Sequence, residues 1–309
     1  MEIKPRSYMI STIFMGGRQL HLFILRGDRM LLIDTGMAGM PKDLIFPYMQ
    51  EHNLPLEELA FIASTHAHAD HLGGNAEIQA ACPGVKLGVH EIDKAWVENH
   101  MLSITELYER HAEMNAFSPE VRQWLIEVCG ANSPVDIAWK GGEVIDLGGR
   151  SVEVVHAPGH TAGNVVFLDR QGGTLNEAET ILEGATGQPG KLSVPGYFDV
   201  PAYRQTMRYL AELPWDLLAS SHAMPRDRKA GLQAIKASLD FVDQFDGQLE
   251  ATLKAQKGAV DFKTLAEAVA GRYGYNLDLG LILLLDPHLD HLRKTRRAVQ
   301  LPDGRWAQA

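Results

Sequence analysis

The chain has 309 residues, of which 45% are hydrophobic and 22% are charged. This length is sufficient to bury a large core, and it favours one large domain with a smaller one. The formal net charge of −10 argues against a general binder of nucleic acids or anionic membranes, because phosphate groups attract a basic surface. We therefore expect a small-molecule partner, and no nucleic acid or membrane.

Three further features indicate a cytoplasmic protein. The cysteines, Cys82 and Cys129, are too far apart for a C-x-x-C knuckle, and we expect both to be buried thiols. Residues 1–7 are charged and polar without a following apolar segment, so we expect no secretion signal. The longest apolar run, residues 279–285, is far shorter than the ~20 residues needed to span a bilayer.

The N-terminal part of the chain alternates between strand and helix patterns. The predicted strands are 9–14, 21–26, 30–33 and 86–89, and the predicted helices are 41–52 and 75–81. This alternation fits an α/β fold in which two sheets pack together with helices outside, an αββα sandwich.

A dense cluster of metal-ligand residue types follows a short apolar run. Residues 65–71 read THAHADH and contain three histidines and one aspartate. Imidazole and carboxylate are ligands that zinc accepts, and residues two apart project to the same side of an extended chain. His66 and His68 can therefore share one metal ion, whereas Asp70 and His71 face a second. The alternative is a polar loop that is histidine-rich by chance.

Two later histidines lie just past predicted strands. Residues 151–156 alternate as a strand, residues 157–159 break it, and His160 follows. Residues 215–219 are predicted as a buried strand, and His222 lies in the loop that leaves it. A histidine at such a place can point into a cleft, although a single one is more often an ordinary surface or core residue.

Together these motifs resemble the metallo-β-lactamase superfamily, whose pattern contains H-x-H-x-D-H, a later P-G-H-T and a last histidine. Residues 66–71 and 158–161 match the first two motifs, and the match spans roughly the first three quarters of the chain. The resemblance implies a metallo-β-lactamase αββα sandwich with two metal sites. The implied ligands are His66, His68 and His160 at the first site, and Asp70, His71 and His222 at the second.

The stretch 31–36, LLIDTG, matches the superfamily strand that ends in D-T-G. In the superfamily this aspartate lies behind the metal ligands. The resemblance therefore implies that Asp34 holds a ligand histidine in the correct tautomer.

The bridging acid departs from the superfamily pattern, which usually has Gly-Asp after a strand. This chain has LNEAETI at 175–181, which places Glu179 at the aspartate and Ala178 at the glycine. Glu177 and Glu183 are rivals if the alignment shifts. We expect two zinc ions, although the longer side chain of glutamate leaves one ion as an alternative, and manganese or iron could replace zinc.

The implied chemistry is metal-dependent hydrolysis. Zinc lowers the pKa of bound water from ~15.7 to about 7, so a metal-bound hydroxide is available as nucleophile at neutral pH. Asp70 is the predicted catalytic residue that orients this hydroxide and carries a proton to the leaving group. The expected substrate is a small-molecule ester, lactone or thioester. The alternatives are phosphodiester hydrolysis, persulfide oxidation at a single iron, or a non-enzymatic metal-binding regulatory protein.

A helical insertion is predicted at about 91–135, and superfamily insertions at this place can cover the active site. The candidate substrate-contacting residues on it are Tyr108, His111 and Trp124. An extra packed helical hairpin is an equal alternative. Leu182 occupies the position of a tyrosine that superfamily lactonases often carry, so Tyr197 is a candidate replacement, and a packed loop tyrosine is the alternative.

The remaining chain, 229–309, is predicted as a helical domain that follows a catalytic domain at 1–228. Asp261 precedes a well-capped helix, further helices flank it, and residues 298–306 are predicted as a terminal hairpin. This order resembles the winged-helix appendage of some superfamily members. We expect this segment to pack on the catalytic domain or to form a homodimer. The basic run 293–297 is too short to indicate nucleic-acid binding.

Overall fold

The structure is a computed structural model that describes residues 1–14, 17–111, 114 and 116–309. Within these residues, two large sheets pack face to face with helices on both outer sides. This arrangement confirms the predicted α/β class and the αββα sandwich. No described helix has both the length and the apolar character needed to cross a bilayer.

The first sheet contains seven strands within the described residues, arranged in sequence order. They are β1 (Glu2–Lys4), β2 (Ser7–Phe14), β3 (Arg18–Arg26), β4 (Met30–Ile33), β5 (Leu59–Ala63), β6 (Lys86–His90) and β7 (Ile137–Trp139). Strands β1 to β4 are antiparallel neighbours, whereas β4 to β7 run parallel. The loops that leave β4 and β5 therefore lie side by side at one edge of the sheet.

In the described part of the chain, the second sheet has six strands in the order β15-β14-β11-β10-β9-β8. They are β8 (Val144–Asp146), β9 (Ser151–His156), β10 (Val165–Asp169), β11 (Thr174–Ala178), β14 (Leu217–Ser220) and β15 (Arg226–Asp227). Strands β12 (Thr186–Gln188) and β13 (Lys191–Ser193) form a separate hairpin. Strands β11 and β14 are parallel, so their carboxyl ends also meet at one edge.

The helices occupy the outer faces and the two long connections. They are α1 (Phe46–Glu51), α2 (Ala69–Leu72), α3 (Asn75–Ala81), α4 (Lys94–Glu98), α5 (His100–Ser103), α6 (Pro119–Cys129), α7 (Val200–Glu212), α8 (Arg228–Ala255), α9 (Phe262–Tyr273) and α10 (Leu279–Lys294). A π-helical turn, Pro41–Ile45, leads into α1, and another, Ile104–Tyr108, follows α5. Most of the longer helices begin at a side chain that accepts a backbone N–H, as Asp261 does for α9.

Apolar side chains from both sheets fill the space between them. Met9 and Phe23 of the first sheet and Val154 and Phe167 of the second belong to this inner core. A second cluster packs α1 and α3 on the outside of the first sheet. Because each strand alternates its side chains between two buried faces, most strand residues are apolar.

The C-terminal segment packs on the outside of the second sheet. One buried cluster joins Leu175 and Leu218 of that sheet to Met207 of α7, Phe245 of α8 and Leu284 of α10. After α10 the chain ends in a hairpin of β16 (Ala298–Gln300) and β17 (Trp306–Gln308). The helical character of this segment is as predicted. Its winged-helix likeness and the boundary at 228 stay predictions.

The two sheets are also joined by one buried cation. Arg150, which precedes β9, is 7% exposed, and its guanidinium donates to the carboxylate of Asp169 in β10. The same guanidinium donates to the carbonyl oxygen of Arg6 at 2.6 Å and to the hydroxyl of Ser7 at 2.5 Å. Arg150 therefore links the first sheet to the second.

We predict that Asp169→Ala strongly destabilises the fold, because the substitution leaves the buried charge of Arg150 without its partner. The expected loss in free energy of unfolding is ~3–5 kcal/mol, measured by urea denaturation. Asp240→Ala, which removes an exposed partner of Lys236, is the control and leaves stability nearly unchanged. Equal effects of the two substitutions would contradict this role for Arg150.

Candidate metal centre

The predicted ligands come together at the edge of the sandwich where strands of both sheets end. His66 and His68 lie in the loop that follows β5, and Asp70 and His71 lie in the short helix α2. The other three predicted ligands follow strands of the second sheet or a turn between them. They are His160 after β9, Glu179 after β11 and His222 after β14.

The first group of ligand atoms surrounds Nδ1 of His68. Nε2 of His66 lies 2.9 Å from this atom, and Nε2 of His160 lies 3.0 Å from it. Oε2 of Glu179 is 3.3 Å from Nε2 of His160 and 3.9 Å from Nε2 of His66. The three nitrogens and one carboxylate oxygen thus converge on one small volume.

The second group is adjacent and shares Glu179 with the first. Oε2 of Glu179 is 3.6 Å from Nε2 of His71 and 3.4 Å from Nε2 of His222. Oδ2 of Asp70 is 3.7 Å from the same nitrogen of His71 and 3.5 Å from that of His222. Among the described residues, these two groups are the ones whose donor atoms are spaced to hold a metal ion. The carboxylate of Glu179 therefore lies where one group could bridge two ions.

The outer nitrogen of four of the histidines has a protein partner, which fixes each ring. The pairs are His66 Nδ1 with Thr65 Oγ1 at 3.0 Å, His71 Nδ1 with Asp34 Oδ2 at 2.8 Å, His160 Nδ1 with the Gly196 carbonyl at 2.7 Å, and His222 Nδ1 with the Gln19 carbonyl at 2.9 Å. Asp34 also accepts from the backbone N–H and the hydroxyl of Thr65. This carboxylate therefore occupies the place behind the ligands that the sequence predicted.

The inner atoms fit a divalent cation. Nε2 of His71 is buried and, within the described residues, has no hydrogen-bond partner. Burial together with neighbouring imidazoles holds the pKa values of His66 and His68 well below their usual range. These rings are therefore neutral and present lone pairs, which is the form that binds metals. A cation between them gives each inner lone pair a partner.

The pKa values of His71 and Glu179 are shifted by neighbours of opposite charge. Burial acts to lower the pKa of His71, but the charges of Asp70 and Asp34 outweigh burial and raise this pKa well above its usual range. Burial acts to raise the pKa of Glu179, but His160 and His222 outweigh it, so this pKa lies well below its usual range. The Glu179 carboxylate is therefore ionised, and a nearby cation would displace the proton from His71.

The two rival acids, Glu177 and Glu183, belong to neither ligand group. The carboxylate of Glu177 accepts the backbone N–H groups of Thr180 and Ile181, each at 2.8 Å, and burial raises its pKa to about 7. Glu183 pairs with Arg226 at 2.6 Å. Ala178 has a left-handed backbone with φ of 53°, a conformation that favours glycine. This agrees with the alignment that placed Ala178 at the superfamily glycine and Glu179 at the bridging acid.

A cavity of about 750 Å³ opens beside the ligands. Its lining includes Asp70, Glu179 and His222, together with Tyr108 and Trp124 of the predicted insertion. The hydroxyl of Tyr108 accepts a hydrogen bond from the N–H of Ala69 at 3.2 Å. This bond connects the insertion to residues 66–71, which we call the metal loop. Thus two of the candidate substrate-contacting residues lie beside the ligands.

Sequence reasoning missed a second set of residues that line this cavity. Leu279, Gly280 and Leu283 of α10 line it, as do Val194 and Pro195 from the chain that follows β13. The sequence signal was the i, i+4 spacing of Leu279 and Leu283 at the start of an apolar helix. Such spacing marks an apolar face without saying what the face contacts.

The other two candidates are not brought into the cavity lining. Nε2 of His111 is 2.7 Å from the carboxylate of Asp286 in α10, and its ring stacks on Phe262. Tyr197 is 0% exposed, and its hydroxyl lies 2.7 Å from Nε2 of His288. We therefore do not retain His111 or Tyr197 as substrate contacts, because both side chains are directed into packing against the C-terminal helices.

Comparison with known proteins identifies the family of this chain. The family described as the metallo-beta-lactamase superfamily matches residues 17–222. This span is about two thirds of the chain, so the chain belongs to that superfamily, which confirms the resemblance. A metallo-beta-lactamase family protein from Thermus thermophilus superposes with a TM-score of 0.74, at 18% identity over 99% of both chains. A beta-lactamase domain protein from Burkholderia ambifaria gives 0.76 at 17% identity, over 100% of this chain and 94% of that one. These two similarities show the fold alone.

The sequence relatives with named activities match only part of this chain. The chain is 23% identical over 175 residues to a hydroxyacylglutathione hydrolase of Synechococcus sp. (strain JA-2-3B'a(2-13)), covering 55% of this chain and 56% of that protein. It is 24% identical over 180 residues to the human acyl-coenzyme A thioesterase MBLAC2, covering 55% and 61%. The chain thus spans little more than half the length of these relatives.

We predict that Glu179→Ala lowers the metal content toward one ion per chain, because its carboxylate belongs to both ligand groups. Glu179→Asp should retain more metal than Glu179→Ala, since it keeps the charge. Elemental analysis after dialysis against zinc measures both. The control is Glu183→Ala, a nearby glutamate that pairs with Arg226. If Glu183→Ala or Glu177→Ala lost metal while Glu179→Ala kept it, Glu179 would not be the bridging acid.

Proposed function

We propose that this protein is a metal-dependent hydrolase that cleaves a small-molecule ester, lactone or thioester. The observation that carries the proposal is the position of Glu179, which is shared by two ligand groups and lines an apolar cavity. A metal centre that opens into such a cavity is the usual arrangement for a site that acts on small organic molecules. The relatives named hydroxyacylglutathione hydrolase and acyl-coenzyme A thioesterase favour a thioester among the three.

Zinc is the ion that we propose for both groups, with manganese or iron as alternatives. Imidazole and carboxylate donors suit zinc at either group. The first ion would be held by His66, His68 and His160, the second by Asp70, His71 and His222, with Glu179 between them. When bound, zinc polarises the substrate carbonyl and lowers the pKa of water to about 7.

The protein's own groups then have defined tasks. Asp70 lines the cavity, and its carboxylate oxygen lies 3.5 Å from Nε2 of His222 and 3.7 Å from Nε2 of His71, so it contacts both the ligand group and the cavity. A carboxylate at this place would orient an attacking water and could accept its proton for delivery to the leaving group. Asp34 and Thr65 hold His71 and His66 in the tautomers whose inner nitrogens are free.

The cavity walls select the substrate. Side chains of α6 and α10 both line the cavity, Trp124 and Leu125 from the first helix and Leu279 and Leu283 from the second. An apolar acyl group buried among these side chains is removed from water, which stabilises the bound substrate. The cavity therefore suits a large uncharged or aromatic acyl group.

The other chemistries are less well supported. A persulfide dioxygenase of this superfamily uses one iron held mainly by two histidines and an acid. The described residues instead bring five histidines and two carboxylates together. A nucleic-acid phosphodiesterase needs a basic approach, and the chain carries a net charge of −10. Three further points remain predictions: a cytoplasmic location, a winged-helix-like role for residues 229–309, and a homodimer. The mass of the protein in solution tests whether it is a homodimer.

The proposal is tested by protein purified without added metal and treated with a chelator. We expect the apoprotein to lose turnover of a thioester, ester and lactone panel, and zinc to restore it. Removal of the ion removes the activated water, so the loss should be nearly complete. Absence of turnover on every member of the panel, with zinc, manganese or iron each present, would contradict a hydrolase.

We predict that Trp124→Ala changes substrate choice rather than the chemistry. It should lower kcat/KM for a large aromatic or long-chain thioester by a factor of roughly 5 to 150, because an apolar contact is lost. This factor corresponds to a rise of ~1–3 kcal/mol in the activation free energy. An acetyl thioester should be affected little, and metal content should not change. Trp96→Ala is the control, since Trp96 lies in the same insertion and donates to Glu106. Equal losses on both substrates would show that Trp124 only supports packing.

A further inference from the structure

The turn that carries His160 is held from outside by residues 196–198. Nδ1 of His160 donates to the carbonyl oxygen of Gly196, and the N–H of Phe198 donates to the carbonyl oxygen of Gly159, each at 2.7 Å. A Cβ atom on Gly159 would lie 2.8 Å from the ring of Tyr203 in α7. The turn is thus confined between α7 and residues 196–198, and the position of that segment sets the orientation of the His160 ring.

Tyr197 lies between these two anchoring residues and is completely buried. Its ring stacks on Tyr203 with centroids 4.4 Å apart and an interplanar angle of 5°. Its hydroxyl lies 2.7 Å from Nε2 of His288, which is 0% exposed on α10. The hydroxyl therefore connects the segment that holds His160 to the C-terminal helices.

The histidine is held in turn by Asp246 of α8. Nδ1 of His288 lies 2.7 Å from Oδ1 of Asp246. The other carboxylate oxygen faces three basic groups, Nη2 of Arg204 at 3.2 Å, Nη1 of Arg297 at 3.5 Å and Nε2 of His291 at 3.5 Å. The carboxylate is therefore fixed from several sides.

One arrangement of protons satisfies the whole chain of bonds. Burial acts to raise the pKa of Asp246, but the hydrogen bond from His288 and the nearby positive charges lower it, so the carboxylate is ionised. Burial lowers the pKa of His288 and raises that of Tyr197 well above its usual range. A neutral His288 then donates from Nδ1 to Asp246 and accepts at Nε2 from the Tyr197 hydroxyl. In this arrangement each of the two hydrogen bonds has one donor and one acceptor.

We infer that Tyr197, His288 and Asp246 are positioning residues of the metal centre, through which the C-terminal helices hold His160 in its ligand orientation. This inference rests on the metal centre proposed above. A buried polar network adds little stability compared with apolar packing of the same volume, but it specifies orientation. The Gly196 carbonyl, which contacts His160 directly, is the kind of ligand partner that tunes metal affinity, and Tyr197 acts on it as its neighbour in the chain.

The test compares two tyrosine hydroxyls by zinc affinity, measured by competition with a chromophoric chelator. Tyr197→Phe removes the bond to His288. Tyr275→Phe is the matched control, because Tyr275 is 6% exposed and its hydroxyl donates to Gln248 at 2.6 Å within the C-terminal segment. We expect Tyr197→Phe to weaken zinc binding about tenfold, the lower end of the range for groups that support ligands, and Tyr275→Phe to bind zinc as the wild type does.

Zinc affinity of Tyr197→Phe equal to that of the wild type, or an equal loss in both variants, would overturn the inference. If Tyr197→Phe does not fold, Asp246→Asn keeps the shape of the acid and removes its charge, and we expect it to weaken zinc binding as well. Unchanged affinity in Asp246→Asn would then overturn the inference. Wild-type protein that fails to bind zinc would instead refute the proposed metal centre, so the two failures are distinguishable.

Discussion

Five imidazoles and two carboxylates crowd into one small volume within the described part of the chain, and the rest of the structure is arranged around them. Nitrogen lone pairs that face one another at 2.9 and 3.0 Å without a cation would be costly in a site removed from water. Outer contacts such as that between Asp34 and His71 prevent the rings from turning away. The fold therefore concentrates donor atoms that only a cation satisfies well.

We propose that the parts of the chain beyond the sandwich determine which substrate reaches this centre and how firmly the metal is held. The insertion contacts the metal loop through Tyr108 and contributes Trp124 to the cavity. The C-terminal helices contribute Leu283 to the same cavity lining, and through His288 they contact the segment that holds His160. In the function proposed above, α10 therefore contributes both to substrate selection and, through His288, to the geometry of the ligands.

The histidines and acids that the structure brings together could be predicted because short motifs carry them, and the αββα sandwich followed from the strand and helix patterns. The choice of Glu179 as the proposed bridging acid required an alignment with the superfamily pattern. The left-handed φ of Ala178 agrees with that alignment. The partners of His111 and Tyr197 could not be predicted, because they lie 175 and 91 residues away in sequence. Aromatic residues at helical spacing indicate only that some apolar surface is covered. Short strands such as β1 and β8 also carry too little pattern to be predicted.

X-ray absorption at the zinc edge of the zinc-loaded protein tests the central claim most directly. We expect nitrogen and oxygen ligands at about 2.0–2.2 Å, with the outer-shell scattering that several imidazole rings produce. A second metal at about 3.5–4 Å would be visible in the same spectrum, and it should disappear in Glu179→Ala. A spectrum with oxygen ligands alone and no imidazole scattering would contradict the account, because His66, His68 and His160 would then not hold the ion.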